Sequence, residues 1–175
     1  SFNTEVAKQK GYKIFASGET DLKLNGINPD GDIKDLIDEV DVIVDATPKD
    51  VGRDNIEKMY RPKKIKAIVQ GGEKHKTTGT SFVAQCNYNE ALNKDAVRVV
   101  SCNTTGLCRT LHALNKFDIT SVHATLIRRG ADPGDIHHGP INAIVPVLEM
   151  PSHHGPDVQS VLPKCQIFTT ALSVP

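Results

Sequence analysis

Apolar residues fall along this chain in short runs, set apart by longer amphipathic or polar stretches. Val40–Asp45 (VDVIVD), Ile65–Val69 (IKAIV) and Ala96–Val100 (AVRVV) are each bounded by turn-forming residues, the pattern of short buried strands. Between the first two, Asp50–Tyr60 reads as a helix that must end before Pro62, because the residue ahead of a proline is pushed out of helical geometry. Asp32 is placed to cap a short helix through Glu39, its carboxylate accepting from the unpaired N–H groups of the first turn. Gly18–Gly31, with Gly, Asn, Asp and Pro, reads as loop. Gln70-Gly71-Gly72-Glu73 closes the second strand, and a loop with a short helix runs to about Leu92. Strands alternating with helices predict a parallel α/β sheet. Right-handed crossovers bring the strand C-termini to one edge, where ligands bind. The segments to inspect are therefore ATPKD after Asp45, QGGEKH after Val69 and SCNTTG after Val100.

Past Ser101 the pattern changes. Thr104–Asn115 is helical, with Leu107, Leu111 and Leu114 on one face. Ile119–Ile127 and Gln166–Val174 read as strands, separated by a stretch rich in Pro, Gly and His. The expected division is residues 1–101, a Rossmann-like parallel sheet incomplete at its N-terminus, and residues 102–175, part of an α+β catalytic domain. Both ends read as open. Glu5–Gly11 resembles the end of a helix with a glycine stop, and Gln166–Pro175 is a strand pattern with nothing beyond it to pair. A longer parent protein is expected.

Composition narrows the possible partners. Lys+Arg and Asp+Glu each number 21 in the 175 residues, so no net field favours nucleic acid or an anionic membrane. No apolar run approaches the roughly 18 residues of a membrane span. The four cysteines, Cys86, Cys102, Cys108 and Cys165, are scattered and read as thiols of a reducing compartment.

One cysteine stands on a corner. In RVVSCNTTGLCRTL, Arg98–Leu111, an apolar run stops and a helix starts at once, with Cys102 at the junction. A helix N-terminus lowers a thiol's pKa, and the thiolate is the nucleophile. The N–H groups of Asn103, Thr104 and Thr105, with their side chains, are expected to surround an oxyanion formed there. The bland reading is a small residue at a helix cap, since cysteine also serves as apolar filler. Cys108, deeper in the helix, is expected to pack inward. Arg128-Arg129 end a strand; arginine's planar fork suits phosphate, and a solvated strand end is the plain alternative. Pro151-Ser152-His153-His154-Gly155 reads as a rigid loop whose histidines could equally touch only water, and His137-His138 as a surface pair. No histidine or cysteine pair has zinc-ligand spacing, so no metal site is expected.

SCNTTGLCRT, with QGGEKH before it and RRGADP, GPINAIVP and PSHHGPDV after it, resembles the archaeal type of phosphorylating glyceraldehyde-3-phosphate dehydrogenase. The likeness runs along essentially the whole chain and is weakest over Gly18–Gly31. It implies an oxidation of glyceraldehyde 3-phosphate with NAD or NADP that takes up inorganic phosphate and yields 1,3-bisphosphoglycerate. Such enzymes are cytoplasmic homotetramers. The resemblance makes Cys102 the nucleophile and Ser101, Asn103, His154 and Gly155 substrate contacts. It makes Gly72 and Arg129 cofactor contacts, with Thr47-Pro48 a weaker candidate and Arg128 open to a phosphate role. The implied chemistry is thiolate addition to the aldehyde, hydride transfer that leaves a thioester, and displacement by phosphate. Covalent capture divides one difficult conversion into two easier steps.

Two parts of that family pattern are missing from these residues. No G-x-G-x-x-G phosphate loop occurs, and none of His112, His123 or His154 matches the family's histidine base. Little or no dehydrogenase activity is expected of these 175 residues alone. The alternatives are a related semialdehyde dehydrogenase, whose members lack PSHHGPDV as written here, or an inactive nucleotide-binding fragment. A cysteine phosphatase fits worse: six residues separate Cys102 from Arg109 where that chemistry needs five, and they run into a helix.

Overall fold

The structure is a computed structural model that describes residues 2–18, 26, 28–130 and 139–175. The His137-His138 pair and part of the Gly18–Gly31 segment lie outside the described residues. Helix α1 (Phe2–Gln9) ends at Gly11, whose φ of 82° is the left-handed stop the sequence suggested. Strands β1 (Phe15–Ala16) and β2 (Gly31–Asp32), at the two ends of the loop-like stretch and not foreseen, form a small parallel pair. Asp32 then caps α2 (Ile33–Glu39). Its carboxylate accepts from Lys34 N at 2.7 Å and Asp35 N at 3.0 Å, while Asp35 accepts from Asp32 N at 2.9 Å.

The main sheet contains β3 (Val42–Asp45), β4 (Lys66–Val69), β5 (Ser81–Phe82) and β6 (Ala96–Val99), ordered β3-β4-β6-β5 and all parallel. The two-residue β5 is too short to leave a period in the sequence. Parallel pairing brings the segments after β3, β4 and β6 to one edge, as their patterning predicts. The expectation that β3 is buried needs correcting. Val42 and Val44 are 51% and 57% exposed, because β3 is the sheet's edge strand and only its other face packs on the core.

That core joins Ile37, Ile56, Tyr60, Ile65, Ala67 and Val69. The predicted helix over Asp50–Tyr60 is really α3 (Val51–Asn55) continued by a π-helical turn, Ile56–Tyr60. The wide turn has a local cause. A π-turn brings residues five apart onto one face, which an α-helix does not. Asn55 Nδ2 and the Tyr60 hydroxyl thereby both reach Asp45 Oδ2, at 2.9 and 2.8 Å. Thr47 N and Oγ1 donate to the other oxygen of Asp45, at 2.8 and 2.5 Å. Burial pushes the Asp45 carboxyl up, but the hydrogen bonds from Thr47, Asn55 and Tyr60 outweigh it and hold the group below its ordinary value. The same burial, with the carboxylate alongside, raises the Tyr60 phenol.

Helices α4 (His75–Thr78) and α5 (Ala84–Ala91) lead to β6, and α6 (Cys102–Leu114) follows it. Beyond lie β7 (Val122–Arg129), β8 (Val145–Pro146), α7 (His154–Gln159) and β9 (Ile167–Val174). The second sheet is ordered β7-β9-β8, with β7 and β9 parallel over eight residue pairs and β8 antiparallel to β9. A second core joins Val83 and Val100 to Cys108, Val158 and Val161, so it draws on both halves of the chain. Cys108 is fully buried, as its place in the helix suggests, and Leu107 and Leu111 pack against the same core.

Candidate active site

The site forms where α6 begins. Ser101 is the cap: its Oγ accepts from Thr104 N at 3.2 Å, and its carbonyl accepts from Thr105 N at 2.8 Å. Cys102 is the first helical residue and is exposed. The expectation of three converging N–H groups and two threonine hydroxyls is therefore corrected. Ser101 takes up the N–H groups of Thr104 and Thr105. Thr104 is fully buried with its hydroxyl 2.9 Å from Ser101 Oγ, and the Thr105 hydroxyl turns to the Val100 carbonyl at 3.5 Å. The first-turn N–H groups left without an intrahelical acceptor are those of Cys102 and Asn103.

Cys102 opens on a cavity of about 460 Å³ between the start of α6, the inner face of the β7-β9-β8 sheet and the segment leading into α7. Ser101, Asn103, Arg128, Ser152, His153 and His154 line it, with apolar walls from Leu126 and Val145–Val147. Side chains alternate across a strand, so Arg128 and Arg129 project to opposite faces of β7. Arg128 faces the cavity; Arg129, opposite Val174, does not line it. The sequence could not make that choice, because it depends on which face of β7 lines the cavity.

The loop expected over Pro151–Gly155 gives way to a helix from His154, and the alternative of histidines touching only water does not hold for His154. His154 opens α7 and is 7% exposed, its ring stacked 3.9 Å from that of His153. Its Nδ1 lies 3.2 Å from the buried Ser152 hydroxyl, which donates to Thr169 Oγ1 at 2.9 Å. Thr169 in turn donates to the Ser152 carbonyl and accepts from Gly155 N, both at 2.9 Å. This relay assigns the ring proton to Nδ1 and leaves Nε2 an acceptor, 3.5 Å from Asn103 Nδ2. Burial, and then the neighbouring His153, hold His154 below the ordinary histidine value, so the ring is neutral near pH 7. Gly155 faces Thr169 rather than the cavity. A Cβ there would lie 3.0 Å from Thr169 Oγ1, so glycine lets α7 approach β9 closely.

Gly72 lies at the sheet edge in the turn after β4, with φ of 95°. Its neighbour Gly71 is the more constrained: a Cβ would sit 1.6 Å from the Thr47 carbonyl oxygen, so the turns after β3 and β4 meet backbone to backbone. Two functional candidates escaped the sequence reading. Asp45 looks like the end of a strand and is the anchor of the Thr47 turn. Arg98 looks like a polar interruption of AVRVV, yet it is buried among four partners. The one available signal was a charged residue inside an apolar run. The other thiols sit in different surroundings from Cys102: burial raises Cys86 and Cys165 and pushes Cys108 up to about 12. Among the described residues, no group of three or more His, Cys, Asp or Glu side chains could hold a metal ion, and no helix is long and apolar enough to cross a membrane.

Comparison with known proteins agrees with the motifs. Residues 101–175 match the model of the glyceraldehyde 3-phosphate dehydrogenase C-terminal domain. The chain is 51% identical over 179 aligned positions, covering all of it, to a Methanococcoides burtonii protein named glyceraldehyde-3-phosphate dehydrogenase, of which it covers 53%. Proteins of the same name from Thermococcus onnurineus and Pyrococcus furiosus are 53% and 50% identical over 99% of the chain, which covers 52% of each. The chain thus spans about half the length of the curated relatives it matches.

Proposed function

Since the chain belongs to the glyceraldehyde-3-phosphate dehydrogenase family, we propose that it carries the covalent chemistry of a phosphorylating aldehyde dehydrogenase acting on glyceraldehyde 3-phosphate. The observation that carries this reading is an exposed cysteine in the first turn of a helix, on the rim of a cavity it shares with Arg128 and His154. The Cys102 sulfur adds to the aldehyde carbon, and the N–H groups at the helix mouth stabilise the oxyanion that forms. Asn103, whose amide is oriented by His154 Nε2, and Ser101 hold substrate oxygens. Arg128 binds a phosphate group, of the aldehyde or of the inorganic phosphate that takes the acyl group from sulfur. His154, neutral, contributes a hydrogen-bond acceptor and not a charge. Gly155 acts by letting the His154 helix seat against Thr169.

A nicotinamide dinucleotide, NAD or NADP, supplies the hydride acceptor when bound. The residues at the sheet edge fit such a group. Gly71 and Gly72 keep the edge bare of side chains, and the Thr47 turn is fixed beside them by Asp45. Gly72 and the Thr47-Pro48 turn would contact it there, and Arg129 from the second sheet. A cytoplasmic homotetramer is the assembly we propose for the whole protein.

The test uses the full-length protein with glyceraldehyde 3-phosphate, phosphate and either cofactor. Cys102→Ser should lower kcat at least about a thousand-fold, since covalent capture is lost. Iodoacetamide near neutral pH should label Cys102 well before Cys86, Cys108 or Cys165, read by peptide mass spectrometry. Retained turnover in the serine variant, or equal labelling of all four thiols in the folded protein, would remove Cys102 from the mechanism.

A further inference from the structure

Arg98 is the third residue of β6, and its side chain is 6% exposed. All three guanidinium nitrogens are engaged. Nε donates to Ser81 Oγ at 2.6 Å, and one terminal nitrogen donates to the Glu73 carbonyl at 2.8 Å. The other donates to Asp157 Oδ1 at 2.6 Å and Ser160 Oγ at 3.2 Å. A buried guanidinium is costly unless every donor is matched, so this geometry is tightly specified.

The partners stand on two different parts of the site. Glu73 directly follows Gly71-Gly72, and its buried carboxylate also accepts from Arg53 N at 3.2 Å, so that turn is held from both sides. Asp157 lies one helical turn after His154 in α7, and Ser160 immediately follows that helix. Arg98 does not line the Cys102 cavity, and it reaches the edge turn through the Glu73 carbonyl. It is the planar fork joining the turn at the proposed cofactor edge to the helix that presents His154.

We propose that Arg98 is a positioning residue that fixes the His154 helix relative to the Gly71–Glu73 turn, an inference resting on the functional reading above. Asp157 is the substrate-side end of this clamp, and the Glu73 carbonyl with Ser81 is the cofactor-side end. Lysine cannot replace Arg98, because one ammonium cannot span partners on opposite sides of a planar group.

The two ends can be cut separately in the full-length protein. Asp157→Asn keeps the shape and removes the charge, while the bonds from Arg98 to Ser81 and Glu73 remain. It should raise KM for the aldehyde about ten-fold, as loss of a charged hydrogen bond implies, and leave the cofactor Kd within about two-fold. Arg98→Lys should weaken both. A purely stabilising ion pair would instead lower the melting temperature and leave KM and Kd unchanged in the folded variants, and that result would overturn the proposal. A Kd that moves in step with KM in Asp157→Asn would overturn it too. The NMR signals of the His154 ring and the Gly72 amide give a readout free of catalysis. Asp157→Asn should shift the first and not the second, and Arg98→Lys both. If the parent protein fails to oxidise the aldehyde, the functional reading falls and these signals still decide the clamp. An unmoved His154 ring in Asp157→Asn refutes it.

Discussion

At the scale of single residues, two side chains owe their properties to the groups packed beside them. Cys102 is exposed because Ser101 takes the capping role, freeing the next position to face the cavity. His154 is neutral because α7 buries it against Ser152 and His153. That burial has a consequence for stability. The folded value of His154 lies below the ordinary one, so as pH falls the unfolded chain takes up the proton first. The contribution of the neutral ring is complete above the unfolded value, about 6.5, and is lost as pH drops through the lower folded value. In urea titrations the parent should therefore lose more of its midpoint between about pH 7 and pH 5 than His154→Gln does. Equal losses would mean that the ring is solvated in the folded state.

At the scale of elements, the turns after β3 and β4 act as one unit. Asp45 accepts from Thr47, Asn55 and Tyr60, which ties the first turn to the π-helical turn behind it. Gly71 presses the second turn onto the Thr47 carbonyl. An added methyl at Gly71 meets backbone and not a movable side chain, so the two turns must separate. Gly71→Ala should cost roughly 1–3 kcal/mol, the range for overpacking, and weaken NAD or NADP binding at least about ten-fold. Denaturant titration and cofactor titration check the two effects independently. Gly72→Ala is the useful control. A Cβ there has only Lys49 Cβ nearby, at 3.9 Å, and its cost comes from the φ of 95°.

For the whole molecule, the second core matters most. Val83 and Val100 come from the first sheet region, Cys108 from α6, and Val158 and Val161 from α7 and its end, so the two halves share buried surface as well as the Arg98–Asp157 pair. Val158 is completely buried. Val158→Ala removes two methyl groups from that shared core and should cost roughly 1–3 kcal/mol. Because the core is shared, tyrosine fluorescence from Tyr60 and protection of the Cys108 thiol should lose stability together. A shift in only one of them would mean that the halves unfold separately.

Much of this was legible in the order of residues alone. The three parallel strands, the helix after Ser101, the Asp32 cap, the glycine stop after α1 and the inward Cys108 all follow from local patterning and capping chemistry, which act over a few residues. The motif around Cys102 carried the family likeness, which rests on residue order alone. What the sequence left open depended on contacts between distant segments. Choosing Arg128 over Arg129 needed the face of β7 that lines the Cys102 cavity. The setting of His154 needed Thr169 of strand β9, which holds the flanking Ser152 and Gly155. The roles of Asp45 and Arg98 needed partners brought in from other elements. Periodicity tells which side chains share a face; only packing decides what that face meets, because burial and hydrogen bonding are properties of neighbours in space.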